Sequence, residues 1–438
     1  MEQKDIEVGV LEAVEELLVA MEAEFEEELS AEVTLVEDLE FSSIDFVQLI
    51  VAIEEKLGQK IGFQDLLMQN GKYVDDLSIG QVIDFATSRL TNPQAATAAV
   101  AAASPAMPSP AEPSRPKITD ADVGRFLELI KPRQLPAPPS GTRKNPRAVF
   151  ILSPPRSGST LLRVMVAGNP ALFAPPELHL LAYANMAERK ADLSGERGDQ
   201  LAEGVLRALM ETRGWTAEQA RKRLNQAEAE GAGVGTIYAE LQQNLGGRLL
   251  VDKTPTYAYS LDILRQAEAL FEDPLYIHLL RHPCGMIRSY EESDLTRMMP
   301  LLMKGSEFSS AALAEMIWLV SNRNILQFGQ QIPAERWFSL SYENIVSDPE
   351  SQMQELCSFL GVPFHEDMLN PYSDNKARMT DGVDSSSKMS GDLKFHLHSQ
   401  IDPAAATRWQ QFCSESMLGD ATTDLMQSLD QSVARIRL

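Results

Sequence analysis

The chain has 438 residues and a formal net charge of −24, with 44% hydrophobic and 23% charged residues. This length exceeds what one hydrophobic core usually organises, so it predicts two or more domains. The composition is that of an ordinary globular protein and excludes collagen-like, disulfide-scaffold and wholly disordered classes. The acidic N-terminus lacks a signal-peptide pattern, and no stretch approaches the ~18 apolar residues of a membrane span. We therefore expect a cytoplasmic protein without a membrane partner.

The first 90 residues read as a small, acidic, all-helical domain. Apolar residues recur at helical spacing from Ile6 to Met21, after Ser43, and again from Ile79 to Leu90. Residues 1–90 hold 22 Asp and Glu against 5 Lys and Arg, a net charge of −17. This field repels nucleic acid and favours basic protein partners; a solvated acidic helix face without a partner is the alternative.

A change of composition separates this domain from the rest of the chain. Residues 91–117 are rich in Ala, Pro and Ser and predict a flexible linker. A short helix near 120–131 and a Pro-rich connector occupy 118–146. From 147 to 438, β-like runs alternate with helical segments, which predicts an α/β domain with a parallel sheet covered by helices. The predicted strands lie at 148–153, 248–252, 275–280 and 337–341.

The three cysteines are Cys284, Cys357 and Cys413. Their scattered positions and odd number match neither a disulfide framework nor a zinc spacing. Each is therefore expected to be a structural thiol in a reducing compartment, and no metal site is expected.

Residues 38–50, DLEFSSIDFVQLI, place Ser43 at the start of the second predicted helix. Ser42 and Asp45 also form a capping-box-like pair, so helix capping is the alternative role of these serines. The segment resembles the acyl carrier protein motif, commonly Leu-Gly-x-Asp-Ser-Leu, with Glu40 at the usual glycine and Ser42 at the usual aspartate. The resemblance implies that a phosphopantetheinyl transferase attaches 4′-phosphopantetheine to Ser43.

The second domain opens with a strand, a tight loop and an apolar helix. In the loop PPRSGST, residues 154–160, backbone N–H groups and hydroxyls can surround an anion at the helix N-terminus. The ATP-type loop with its lysine is absent, which argues against a kinase or ATPase. Anion-binding candidates in the loop are Arg156, Ser157, Gly158, Ser159 and Thr160.

This P-loop-like segment resembles the 5′-phosphosulfate loop of sulfotransferases, including tyrosylprotein sulfotransferases and the sulfotransferase domains of polyketide olefin synthases. RHPCGMIRSY, residues 281–290, resembles the 3′-phosphate motif of the same family, with Arg281 and Ser289 at the phosphate-binding positions. The family resemblance implies 3′-phosphoadenosine 5′-phosphosulfate as donor and adenosine 3′,5′-bisphosphate as product. Arg378 and Lys394 are weaker nucleotide-binding candidates.

Four residues are candidates for the chemistry of sulfuryl transfer, which needs a base for the acceptor and positive charge at the leaving group. Arg156 and Lys253 can serve the leaving group. By resemblance to the tyrosylprotein branch, Glu177, 21 residues after Arg156, is the first candidate base. His179 is an alternative base or substrate contact. The structural alternatives are an ion pair with Arg156 for Glu177, packing against the sheet for His179, and a solvated side chain at a strand end for Lys253.

The fusion predicts a sulfotransferase that acts on a hydroxyl of an acyl chain tethered to the carrier, in polyketide or lipid-like biosynthesis. The resemblance to olefin synthases implies that this is the β-hydroxyl. An upstream polyketide or fatty acyl synthase would supply the chain, and a thioesterase or other processing enzyme would act afterwards in trans. Two alternatives stay open. One is a sulfotransferase for a free small molecule or peptide, and the other is a non-catalytic carrier and docking module.

Overall fold

The structure is a computed structural model that describes residues 3–20, 116–136, 143–193, 198–291, 308–374, 376–380 and 413–436, most of 29–91 and parts of 395–411. The chain divides into two compact units. The first comprises residues 1–113 and 393–400, and the second comprises 114–392 and 401–438. Within the described residues, no helix is both long enough and apolar enough to cross a bilayer.

The first unit is helical. Helix α1 spans Gln3–Ala20 and α2 spans Ile79–Thr91, with a short antiparallel pair, β1 (Met68–Gln69) and β2 (Lys72–Tyr73), between them. The apolar stripe predicted for α1 is buried in the core of this unit. The described residues from 49 to 57 are largely helical, as expected for the second predicted helix. Ser43 and most of the predicted linker lie outside the described residues.

The second unit is built on a five-stranded parallel sheet in the order β4-β5-β3-β6-β7. Its strands are β3 (Val149–Leu152), β4 (Leu172–Phe173), β5 (Leu249–Lys253), β6 (Leu275–Leu280) and β7 (Trp337–Ser341). The four predicted strands are confirmed, whereas β4 was not predicted. Every residue of β3 and β6 is buried, because helices and loops cover both faces of the sheet.

Helices surround this sheet. They are α3 (Asp120–Ile130), α4 (Ser159–Val166), α5 (Met186–Leu193), α6 (Gly198–Arg213), α7 (Ala217–Ala229), α8 (Val234–Gln242), α9 (Leu261–Leu270), α10 (Pro283–Glu291), α11 (Ser310–Gly329), α12 (Tyr342–Ser347), α13 (Pro349–Leu360) and α14 (Asp420–Ile436). Phe150 and Tyr276 of the sheet share one core cluster with residues of α5 to α9. Val123 and Phe126 of α3 are buried with Trp318 of α11, so this helix packs into the second unit.

The expectation of three thiols is wrong for two of the cysteines. Cys284 in α10 and Cys413 form a disulfide, with Cα atoms 5.7 Å apart and a sequence separation of 129 residues. The fold brings together two residues whose spacing in the chain carries no pairing signal. Cys357 is the buried free thiol that was predicted, and burial raises its pKa.

Candidate active site

The candidate residues collect at one edge of the second sheet, where the parallel strands end. The loop 154–160 follows β3, Lys253 ends β5, and Arg281 follows β6. β3 pairs with both β5 and β6, so these three strand ends are neighbours. Glu177 follows β4, the strand on the far side of β5. This is the edge at which open parallel sheets bind their ligands.

The loop after β3 has the geometry of an anion cradle. Arg156 and Gly158 both have left-handed backbone, with φ of 63° and 84°, and Gly158 leads into the N-terminus of α4. Ser157 is fully buried, as is Ser153 just before the loop. Neither serine hydroxyl has a hydrogen-bond partner among the described residues. Buried hydroxyls are normally paired, so these two donors are suited to bind a polar ligand.

Glycine at position 158 is required for two reasons. Its positive φ disfavours any residue with a Cβ atom. In addition, a Cβ atom there would lie 2.2 Å from Cδ2 of Tyr342, the residue that follows β7. The Tyr342 ring thus packs directly against the turn of the loop.

The two predicted nucleotide motifs meet in the structure. Nη1 of Arg281 donates to the carbonyl oxygen of Arg156 at 2.6 Å, and Nε of Arg156 lies 3.2 Å from Oγ of Ser289. The Arg281 guanidinium also lies over the Tyr342 ring, 4.4 Å from its centroid. Trp318 donates to the carbonyl oxygen of Arg281 at 2.9 Å. Together these contacts hold two arginines and a serine at one point.

Sequence reasoning missed the surroundings of His282. Its ring stacks on Trp409 at 3.6 Å between centroids, and its backbone N–H donates to Glu343 at 2.9 Å. The Cys284–Cys413 disulfide joins the same two segments. No local pattern in the sequence links residues 282 and 409, so only the tertiary structure reveals this cover beside Arg281.

Glu177, Lys253 and His179 form a compact polar group. Glu177 Oε1 lies 2.6 Å from Lys253 Nζ, and Glu177 Oε2 lies 3.4 Å from His179 Nε2. Lys253 is 2% exposed. Burial tends to raise the pKa of Glu177, but the charge of the Lys253 ammonium and the adjacent His179 ring outweigh it and lower the pKa to about 2. Glu177 is therefore an anion paired with a buried cation.

The segment that carries Glu177 and His179 is held by its backbone. His179 has left-handed φ, at 49°. The buried Arg189 guanidinium donates to the carbonyl oxygens of His179 at 3.1 Å and Leu178 at 3.2 Å. A Cβ atom at Gly204 would lie 1.9 Å from the carbonyl oxygen of Glu177, so α6 approaches this segment as closely as glycine permits.

Arg378 lies elsewhere than the nucleotide prediction requires. Its guanidinium donates to the backbone carbonyl oxygens of Val164 and Asp367, and it fills the space beside Gly168. These contacts are structural, and they connect the C-terminal segment to α4 and its following turn. Lys394 lies outside the described residues.

The residues present fit a nucleotide donor with two anionic ends. Loop 154–160 offers N–H groups, a helix N-terminus and unpaired buried hydroxyls for one end. Arg281 and Ser289 offer a guanidinium and a hydroxyl for the other. Lys253 and Glu177 stand at the neighbouring strand ends, where the transferred group and its acceptor would have to meet.

Comparisons with known proteins identify the family of each part of the chain. A model of the sulfotransferase family matches residues 146–366, and a model of the phosphopantetheine attachment site matches residues 13–73, which include position 43. Among curated proteins, nodulation protein NoeE of Sinorhizobium fredii (strain NBRC 101917 / NGR234) is 26% identical over 228 residues. That match covers 49% of this chain and 50% of the relative, so the chain spans about half the length of the curated relative that it matches.

Two solved structures resemble the second unit closely. The sulfotransferase domain from the curacin biosynthetic pathway is 38% identical with a TM-score of 0.60, covering 66% of this chain and 99% of that domain. The sulfotransferase domain from the Synechococcus PCC 7002 olefin synthase is 39% identical with a TM-score of 0.59, covering 68% of this chain and 98% of that domain.

Proposed function

Because the chain belongs to the sulfotransferase family and also carries a phosphopantetheine attachment site, we propose that it sulfates a hydroxyl on an acyl chain tethered to its own carrier domain. The acceptor in this proposal is the β-hydroxyl. Support comes from the similarity to the sulfotransferase domains of the curacin pathway and of an olefin synthase. Covalent attachment to the same chain gives the bound acceptor an effective concentration of about millimolar, which favours an arm-bound acceptor over a free one.

The donor in this proposal is 3′-phosphoadenosine 5′-phosphosulfate, which supplies an activated sulfuryl group when bound. Loop 154–160 would hold its 5′-phosphosulfate end, and Arg281 with Ser289 would hold its 3′-phosphate. The observation that carries the proposal is the buried hydroxyl of Ser157, which has no hydrogen-bond partner in the ranges that the structure describes, beside the Arg156–Arg281–Ser289 cluster. A guanidinium offers a phosphate two parallel hydrogen bonds, so arginine suits both positions.

We assign the proton transfer to His179 rather than to Glu177, which was the first choice on sequence. Lys253 lowers the pKa of Glu177 to about 2, and a carboxylate held so far below neutral pH is a weak base. Histidine is the residue type that most often serves as a general base. Glu177 then orients His179 and keeps Lys253 in place.

Bond making and bond breaking follow from these roles. His179 takes the proton of the acceptor hydroxyl while that oxygen forms a bond to sulfur. The bond between sulfur and the bridging phosphate oxygen breaks at the same centre. Arg156 and Lys253 stabilise the negative charge on the departing oxygen, which leaves with adenosine 3′,5′-bisphosphate. Glu177 stays ionised throughout.

Mass spectrometry of the intact protein tests this function. The full chain is pantetheinylated, loaded with a 3-hydroxyacyl group and incubated with the donor nucleotide. The expected product gains one sulfuryl group on the arm. Ser43→Ala, which cannot be loaded, should gain none. Sulfate found only on free hydroxylated acceptors would support the free-substrate alternative, and no transfer at all would support a docking module.

Two histidine variants separate a catalytic role from a general loss of structure. His179→Gln should lower the transfer rate by about 10²-fold or more, the usual contribution of a general base. His365→Gln changes an exposed histidine of the same unit and should leave the rate unchanged. Equal rates for both variants and the wild type would remove His179 from the mechanism and return the role to Glu177.

A further inference from the structure

A second polar cluster lies directly behind the Glu177–Lys253 pair. Its centre is Asp252, the neighbour of Lys253 in β5, which is 1% exposed. One carboxylate oxygen, Oδ2, accepts hydrogen bonds from the hydroxyls of Tyr238 at 2.5 Å and Tyr257 at 3.0 Å. The other, Oδ1, accepts from Thr254 at 3.1 Å. Three hydroxyl donors on a carboxylate that can only accept make a well-matched buried network.

Tyr257 connects this cluster to the segment that carries the proposed base. While its hydroxyl donates to Asp252, the same oxygen accepts the backbone N–H groups of Leu180 at 3.0 Å and Leu181 at 3.1 Å. These residues follow His179 directly. Asp252 is therefore the covalent neighbour of Lys253, and the Tyr257 hydroxyl connects its carboxylate to the segment that holds Glu177 and His179. The Thr254 hydroxyl makes a second, longer link, since it donates to Asp252 and accepts the backbone N–H of His179 at 3.5 Å.

The network is built from buried groups of the protein itself. Tyr257 and Asp252 are buried, and burial is the main cause that raises the pKa of both side chains. The Tyr257 hydroxyl thus keeps its proton at neutral pH and remains a donor. Without that hydroxyl, two buried N–H groups would lose their partner, and the segment would relax to satisfy them.

Building on the proposed function, we propose that Tyr257, held by Asp252, is a positioning residue that sets the distance of Glu177 and His179 from Lys253. Its hydroxyl links the end of β5 to residues 180 and 181. It does not contact the reacting atoms. Its loss should lower the rate of transfer more than the binding of nucleotide, since the loop after β3 and Arg281 have their own supports.

Tyr257→Phe and Tyr238→Phe form a matched pair for the test. Each removes one hydroxyl that donates to the same Asp252 oxygen and leaves an aromatic ring in the same core. Of the two hydroxyls, it is that of Tyr257 that accepts from Leu180 and Leu181. A general loss of stability should therefore appear in both variants, whereas a loss of positioning should appear in Tyr257→Phe.

Kinetics and amide exchange are measured on the full-length protein. For Tyr257→Phe we expect kcat to fall about 10- to 100-fold, with affinity for adenosine 3′,5′-bisphosphate within about threefold of wild type, since small misplacements of catalytic groups have effects of this size. Hydrogen exchange in the peptide containing residues 180 and 181 should be at least about tenfold faster than in wild type. Tyr238→Phe should keep kcat within about threefold of wild type. Exchange in the same peptide should stay as slow as in wild type.

Each outcome of these measurements either supports or overturns the positioning role of Tyr257. Equal kcat or equal exchange in the two variants would overturn the positioning role. A Tyr257→Phe variant that loses nucleotide binding as strongly as kcat would also overturn it. If wild type transfers no sulfate, the proposed function fails, while the exchange comparison still tests whether Tyr257 holds residues 180 and 181.

Discussion

Replacing Gly158 with alanine changes loop 154–160, the proposed anion-binding loop, at a position where the structure predicts two separate losses of stability. The φ of 84° disfavours alanine by about 1–2 kcal/mol. The new Cβ would lie 2.2 Å from Tyr342 Cδ2, so the ring must move, and overpacking of this kind costs about 1–3 kcal/mol. Together they should lower the free energy of unfolding by about 2–5 kcal/mol.

Gly361→Ala is the matched control. Gly361 also has left-handed φ, at 70°, but no heavy atom in the described part of the chain lies within 4 Å of the position that its Cβ would take. It should therefore show the backbone penalty alone, about 1–2 kcal/mol. The comparison of the two variants isolates the contact with Tyr342.

The same displacement should reach the proposed nucleotide site. Moving Tyr342 removes the ring from beneath the Arg281 guanidinium, a cation–π contact worth about 0.5–2 kcal/mol. Gly158→Ala should therefore weaken binding of adenosine 3′,5′-bisphosphate by about tenfold, measured by calorimetry, while Gly361→Ala leaves it unchanged. Chemical denaturation gives the stabilities. If Gly158→Ala matched Gly361→Ala in both measurements, the described packing of Tyr342 against the loop would be refuted.

Three further predictions concern single contacts. Arg281→Lys removes the planar guanidinium and should weaken binding of adenosine 3′,5′-bisphosphate about tenfold or more. Binding of adenosine 5′-phosphate, which has no 3′-phosphate, should weaken much less. Equal losses of affinity for the two nucleotides would contradict the assignment of Arg281 to the 3′-phosphate. Reduction of the Cys284–Cys413 disulfide, or Cys413→Ser, should lower the free energy of unfolding by about 2–5 kcal/mol, and a denaturation curve unaffected by reductant would contradict this. The lowered pKa of Glu177 stabilises the folded protein, and this contribution is complete above the ordinary pKa of 4.5 and is lost as the pH falls toward 2. Over that range the free energy of unfolding of wild type should fall by up to about 3 kcal/mol more than that of Glu177→Gln. Parallel acid-denaturation profiles of the two proteins would count against the ion pair.

The central strands of the second unit were predictable because they are buried on both faces. β6 has the predicted bounds and β3 lies within the predicted run, since continuous apolar segments mark such strands. β7 also has the predicted bounds, although most of its residues are only partly buried. β4 was missed because two residues carry no periodicity. Glu177 was predicted from the family resemblance and from its spacing after Arg156. Its ion pair with Lys253 could not be predicted, because it depends on the neighbouring positions of β4 and β5 in the sheet.

The remaining features of the site depend on contacts between distant segments. Tyr342 against Gly158, Trp409 on His282, and Cys284 with Cys413 each join residues more than a hundred positions apart. Composition and spacing do not encode such pairs. The odd number of cysteines even argued against a disulfide. Two of the three are paired, and the third, Cys357, is a buried free thiol.

The central claim is that the edge formed by the ends of β3 and β6 binds a nucleotide with phosphates at both its 3′ and 5′ positions. Calorimetric titration of the full-length protein with adenosine 3′,5′-bisphosphate tests it directly. One bound nucleotide per chain is predicted, with much weaker binding of adenosine 5′-phosphate. Absence of binding, or equal affinity for both nucleotides, would contradict the account.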